Sequence, residues 1–122
     1  MKLAIALSAA VVALALAAAA PGANPDRYCS PTGDYCTAAT RSAGAVKLRL
    51  ATFSFSGRYR LCVKKGAQTC KSFPLRKRGE QWVSEVTWYK NFPNRGTGIY
   101  TVTWFYGGVR LGPPLKFAVA NS

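Results

Sequence analysis

The sequence contains no histidine, and its single methionine is the initiator. The first absence removes an imidazole base, a histidine metal ligand and every Ser-His-Asp or Cys-His arrangement. The second removes a thioether copper site. Acid is scarce as well: 4 Asp+Glu stand against 17 Lys+Arg in 122 residues. A glycosidase needs two carboxylates facing each other across a cleft. Glu80 and Glu85 are an odd number of residues apart beside one expected strand, which puts them on opposite faces. Asp26 and Asp34 could approach each other in the N-terminal region, but all four carboxylates read better as solvated or salt-bridging partners of the excess cations. No serine lies in a Gly-x-Ser-x-Gly setting. The sequence therefore predicts a non-catalytic protein with no cofactor and no metal.

A long apolar run occurs once, at the start. Met1-Lys2 supplies a positive end, Leu3 to Ala20 is apolar apart from Ser8, and Ala17 to Ala20 leads into Pro21-Gly22. Charge, apolar stretch and small residues in that order predict a secretory signal peptide over 1–20. A cut after Ala19, within a window of about 19–23, leaves one mature domain over 24–122. The alternative is retention of the run as an anchor, since its length approaches a membrane span. Lipidation is not expected, because Asp26-Arg27-Tyr28 precedes Cys29. The expected location is extracellular or within a bacterial cell envelope.

An oxidising compartment makes disulfides the expected state of Cys29, Cys36, Cys62 and Cys70. Cys29 and Cys36 flank a Pro-Thr-Gly-Asp turn signal, and Cys62 and Cys70 are symmetric about Gly66. Spacing thus favours Cys29–Cys36 and Cys62–Cys70, each a short cross-strand link that stabilises by about 2–3 kcal/mol in the chain-entropy model. A zinc site would favour closer cysteine pairs and a reducing compartment.

The rest of the chain alternates β-branched and aromatic residues with polar ones, and turn signals recur roughly every ten residues. No helix is expected. Val46, Leu48 and Leu50 alternate with Lys47 and Arg49; the apolar parity then slips toward Phe53 and Phe55, which predicts a bulge near Ala51-Thr52. Tyr59, Leu61 and Val63 share one face, opposite Arg60, Cys62 and Lys64. Because Phe73 and Leu75 also point inward, a Cys62–Cys70 bond belongs on the outer face of that hairpin. Arg76-Lys77-Arg78-Gly79 reads as a charged loop, and Gln81 to Tyr89 as a strand. Ile99 to Phe105 and Leu115 to Ala120 are further strands.

Gly98-Ile99-Tyr100-Thr101-Val102-Thr103-Trp104, a glycine turn and Leu115-Lys116-Phe117-Ala118-Val119 resemble the closing strands of bacterial immunoglobulin-like and fibronectin-III-like domains. The resemblance covers roughly the last twenty-five residues and implies that Tyr100 forms the tyrosine corner of such domains. Small periplasmic copper-binding sandwich proteins end similarly, but they bind metal through His and Met, so their copper does not carry over. Two packed sheets suit the strand pattern. The expected fold is all-β: an immunoglobulin-like antiparallel β-sandwich of about seven or eight short strands, with two disulfides.

Without Lys2 the mature chain holds 16 cations and 4 anions, a net charge of +12. Charge of this size steers a protein toward polyanions. Lys47, Arg49, Arg58, Arg60 and Lys64 fall on outward parities of strands expected to be neighbours, with Lys65 at a hairpin tip and Arg76, Lys77 and Arg78 in the next loop. Together they predict a continuous cationic face; the plainer alternative is a solvated surface. Export argues against a specific nucleic-acid partner and for anionic cell-wall polymers, lipid headgroups or extracellular polysaccharides. Both parities carry rings around Trp88-Tyr89 and Trp104-Phe105-Tyr106, so Trp82, Tyr89, Phe105 and Tyr106 are candidate exposed contacts. They support the alternative of a secreted protein-binding factor, inhibitor or toxin-like, beside that of a structural envelope module.

Overall fold

In the computed structural model, which describes residues 26–120, the chain forms ten strands and one helical turn. The strands are β1 (Arg27–Cys29), β2 (Tyr35–Ser42), β3 (Ala45–Thr52), β4 (Arg58–Lys65), β5 (Ala67–Pro74), β6 (Arg76–Arg78), β7 (Gln81–Thr87), β8 (Gly98–Tyr106), β9 (Val109–Arg110) and β10 (Leu115–Val119). The turn, α1, spans Trp88–Asn91. One antiparallel sheet has the order β1-β2-β3-β7-β6 and the other β10-β8-β4-β5, with β9 paired to β8. The predicted leader lies outside the described residues, as does any cut within 19–23.

Period-2 patterning makes the central strands half-buried. In β3, Val46, Leu48, Leu50 and Thr52 face the core; in β8, Tyr100, Val102 and Trp104 do. The two inner faces close on one apolar core, joined by Leu61 of β4 and by Leu115 and Phe117 of β10. Tyr100 and Phe117 stack at 5.1 Å, and Trp88 meets both rings edge-on at 5.1 and 5.4 Å. Such pairs add about 0.5–1.5 kcal/mol each beyond area burial.

Both expected disulfides are present, Cys29–Cys36 and Cys62–Cys70, each between directly paired residues of a hairpin. The second has the outward parity expected of it, yet Cys62 is only 2% exposed. The reason is that β4 is a central strand, so Cys62 is flanked by Thr103 on one side and Cys70 on the other.

Four expectations are corrected. No bulge interrupts β3: its register runs unbroken to Thr52, which pairs with Tyr35 and with Trp82. Thr52 fills the inward site itself, and its Oγ1 accepts the Ser54 N–H at 3.0 Å, ending the strand. Phe53 then faces solvent, while Phe55 returns after the bend to stack on Tyr106 at 4.2 Å. Second, Arg76–Arg78 is a strand rather than a loop. Leu75 is buried, and its N–H donates to the Gly57 carbonyl at 2.7 Å where the chain crosses from β5 to the opposite sheet. That anchor delivers Arg76 to the free edge of β7, which needs a partner for its backbone groups.

Third, a helical turn exists at Trp88–Asn91, where a strand through Tyr89 was expected. Asn91 Nδ2 donates to the Thr87 carbonyl at 2.8 Å and Phe92 N–H to that of Trp88 at 2.9 Å. The helical i, i+4 spacing stacks Trp88 and Phe92 within one turn, about 6 Å apart, and both are buried; a strand would put them on one face but roughly 13 Å apart. Fourth, the strands number ten rather than seven or eight, because β6 and β9, short pieces of three and two residues, add to the count.

The exposed edge strand β5 carries a charge on its inner parity. Lys71 pairs with Leu61, and its ammonium lies over the Phe92 ring at 5.8 Å. An inward-parity lysine on an edge discourages pairing with a further strand.

At the centre, the Tyr59 hydroxyl and Ser84 Oγ share a 2.8 Å hydrogen bond across the two sheets. Burial pushes the Tyr59 phenol up to about 12, partly offset by that bond. In the unfolded chain the phenol ionises near the ordinary value of about 10. Between these values the unfolded state loses a proton that the folded state keeps, so stability falls as pH rises, by roughly 1.4 kcal/mol per unit. Denaturant titrations across that window should show this slope in the parent protein and its loss in Tyr59→Phe. Equal slopes in both would contradict the assignment.

Candidate functional site

The predicted cations do not form one continuous face. Lys47 and Arg49 lie on β3 and Arg58, Arg60 and Lys64 on β4, which belong to different sheets. The chain leaves the first sheet at residues 53–57 instead of closing a hairpin, so the two sets point outward from opposite sides of the sandwich.

The first side carries Lys47, Arg49, Arg76 and Arg78. Lys47 Nζ donates to Thr87 Oγ1 at 2.9 Å, and Arg49 meets Glu85 at 3.4 Å. Arg76 and Arg78 share the outward parity of Val83 and Gln81, their partners on β7. Lys77 has the other parity, with its ammonium 6.0 Å from the Trp82 ring. Arg49, Arg76, Arg78 and Glu85 rim a cleft of about 500 Å³ that reaches Ser84 and Val86 between the sheets. This side is partly neutralised: Asp26, Asp34, Glu80 and Glu85 all belong to the first sheet, its turns or its ends.

The second sheet has no carboxylate among the residues of its strands, and it holds Arg58, Arg60, Lys64, Lys65, Lys71, Arg110 and Lys116. The register lays its outer face out in rungs. Lys116, Thr101, Lys64 and Gln68 lie in one row across β10, β8, β4 and β5. Two residues along, the row is Thr103, Cys62 and Cys70. Two further, it is Arg110, Phe105, Arg60 and Ser72. At about 3.4 Å per residue and about 4.8 Å between strands, Lys64 and Arg60 stand roughly 13 Å apart, and Lys116 and Lys64 roughly 10 Å.

Arg58 is held in place: Nε donates to Ser72 Oγ and Nη2 to the Ser72 carbonyl, both at 3.0 Å. Arg58, Arg60, Ser72, Phe105, Gly107 and Gly108 line a cleft of about 400 Å³ together with Tyr59. Lys65 turns away from this face; its ammonium donates to the Arg95 carbonyl at 3.3 Å and lies over the Tyr100 ring at 5.8 Å.

The aromatic candidates separate in the same way. Tyr89 is exposed on α1, at 55%. Phe105 is half-buried on the outer face of the second sheet, outside the core cluster. Trp82 and Tyr106 pack against the core, and the Tyr106 hydroxyl donates to the Ser56 carbonyl at 2.7 Å. Phe53, expected inward, is a large exposed apolar residue, as are Ile99 and Val109.

Arg110 and Lys116 were also missed as members of a cationic face. Both could have been found. Lys116 alternates with Leu115 and Phe117, and Arg110 mirrors Phe105 about Gly107-Gly108. Among the described residues, no group of three or more His, Cys, Asp or Glu gathers as a metal site would require. No helix of those residues is long and apolar enough to cross a membrane.

Comparison with family models, with curated proteins and with solved structures gives no match.

Proposed function

We propose that this chain is an exported, non-catalytic binding module of the immunoglobulin-like class, and that it contacts anionic polymers of the cell envelope or extracellular matrix. The strand order supports the fold reading. The path β2-β3-β7-β6 facing β4-β8-β10 parallels the two sheets of an immunoglobulin domain, with β5 as an added strand beside β4. The Tyr100 hydroxyl donates to the Gly96 carbonyl at 2.7 Å and accepts the Arg95 N–H at 2.8 Å. This is the hydrogen bonding of a tyrosine corner. Two disulfides in a small domain, behind a leader with signal-peptide grammar, support export.

The segregation of charge carries the functional reading. Every described carboxylate is on or beside the first sheet, and the strands of the second carry arginine and lysine but no carboxylate of their own. A surface of one sign attracts counter-charged polymers over distances set by salt. The test is retention on immobilised polygalacturonate and on heparin as salt is raised. Arg58→Gln/Arg60→Gln/Lys64→Gln is expected to lose about tenfold or more in affinity and to flatten the salt dependence by about one unit of slope per lost contact. The matched first-sheet variant Lys47→Gln/Arg49→Gln/Arg76→Gln is expected to lose clearly less. Equal losses would mean that net charge alone is read out. Salt-insensitive, saturable capture of a protein instead would overturn the reading in favour of a protein partner.

A further inference from the structure

The cleft at one end of the second sheet differs in kind from the rest of that face, because it combines a fixed cation, a second cation beside it and a ring. Ser72 ties down the Arg58 guanidinium through two hydrogen bonds of 3.0 Å, so part of its ordering entropy is lost before any ligand arrives. Arg60 is exposed on the same face two residues along β4. Between Arg60 and Arg110 the register places Phe105, whose ring is outside the core cluster and half-exposed. Gly107 and Gly108 bound the cleft, and a Cβ at either would meet no atom within 4 Å, so the backbone at this end faces open space. At about 400 Å³ its size falls within the range of small-ligand sites, about 300–1,000 Å³.

We infer that this cleft is a subsite for one anionic sugar unit, which stacks on Phe105 and places its carboxylate or sulfate against Arg58 and Arg60. The inference rests on the polyanion reading above and gives it a point of attachment. Three features select a saccharide. Guanidinium forks match the planar, paired oxygens of a carboxylate or sulfate. A single apolar ring offers a platform to a sugar face, whereas single-stranded nucleic acid uses successive rings for successive bases. Ser72 in the cleft wall and Thr103 on the adjoining rung add hydroxyl groups, which suit a ligand rich in hydroxyls.

The test uses protein purified after expression of the full chain with its own leader. Calorimetric titration compares trigalacturonate, neutral galactotriose and an oligothymidylate of matched charge. Trigalacturonate is expected to bind, and galactotriose to bind at least about tenfold more weakly, since it cannot engage the guanidinium groups. Phe105→Leu keeps every charge and most of the apolar volume. It is expected to weaken trigalacturonate by roughly fivefold or more, the scale of losing one stacking surface, with an unchanged salt slope. Phe105→Tyr is expected to restore binding, which separates stacking from a folding defect.

If Phe105→Leu matches the parent while the Arg58/Arg60/Lys64 variant still loses polymer, the subsite is wrong and the cationic face stands. Oligothymidylate binding as tight as trigalacturonate overturns the saccharide assignment. No binding of any charged probe, together with salt-insensitive polymer retention, overturns the subsite and the reading beneath it.

Discussion

Trp104→Ala is expected to cost about 3–5 kcal/mol, the range for truncating a buried tryptophan. Domains of this size have only about 5–15 kcal/mol in total. Trp104 is 0% exposed and sits in β8, which is paired on one side with β4 and on the other with β10 and β9. Its backbone partner across the sheet is Leu61, and its carbonyl accepts the Leu111 N–H at 2.8 Å, so its backbone ties β8 to β4 and to the segment after β9. The indole Nε1 has no hydrogen-bond partner among the described residues. A buried donor left unpaired costs about 1–3 kcal/mol. Trp104→Phe discards that donor while keeping a ring, so it is expected to cost much less than alanine. Denaturant unfolding measures both; a phenylalanine variant as unstable as the alanine one would contradict the account.

Removing Cys62–Cys70 is expected to lower global stability by about 2–3 kcal/mol from loop closure alone, and further through lost packing. The extra loss arises because Cys62 is buried in central β4, so Cys62→Ala/Cys70→Ala also leaves unfilled volume beside Thr103. Cys29→Ala/Cys36→Ala opens a loop of nearly equal length, with a separation of 7 against 8. Its consequence should differ, since β1 is a three-residue edge strand with a single neighbour. Hydrogen exchange is expected to show β1 released while the core stays protected in that variant, and protection lowered throughout in the other. Identical exchange patterns would mean that the two links act only through the unfolded chain.

Much of the local structure was legible. Cys62 and Cys70 are symmetric about Gly66, and the structure pairs residues in that register because a hairpin is decided by neighbours in sequence. The inward set Tyr59, Leu61 and Val63 was readable for the same reason, since a strand alternates strictly. Thr52 misled because its parity is apolar while its side chain is not; a threonine can fill an inward site when its hydroxyl caps the strand end. Trp88 misled differently. It has the strand's parity and also the i, i+4 relation to Phe92, and only the surrounding core selects the helical turn.

The division of the cationic residues is the clearest case of a choice made at long range. Alternation says that Lys47, Arg49, Arg58 and Arg60 point outward, and they do. It does not say outward from which sheet. That depends on whether residues 53–57 close a hairpin or carry the chain across the sandwich, and crossing is favoured where it buries Tyr59 and Leu61 against Leu48 and Leu50. By itself the sequence determined the disulfide partners, the strand parities and the excess of positive charge, all of which are properties of composition or of near neighbours. Tertiary structure decided that the carboxylates lie with one sheet and a carboxylate-free face with the other, because the assignment of strands to sheets is settled by burial between residues distant in the chain.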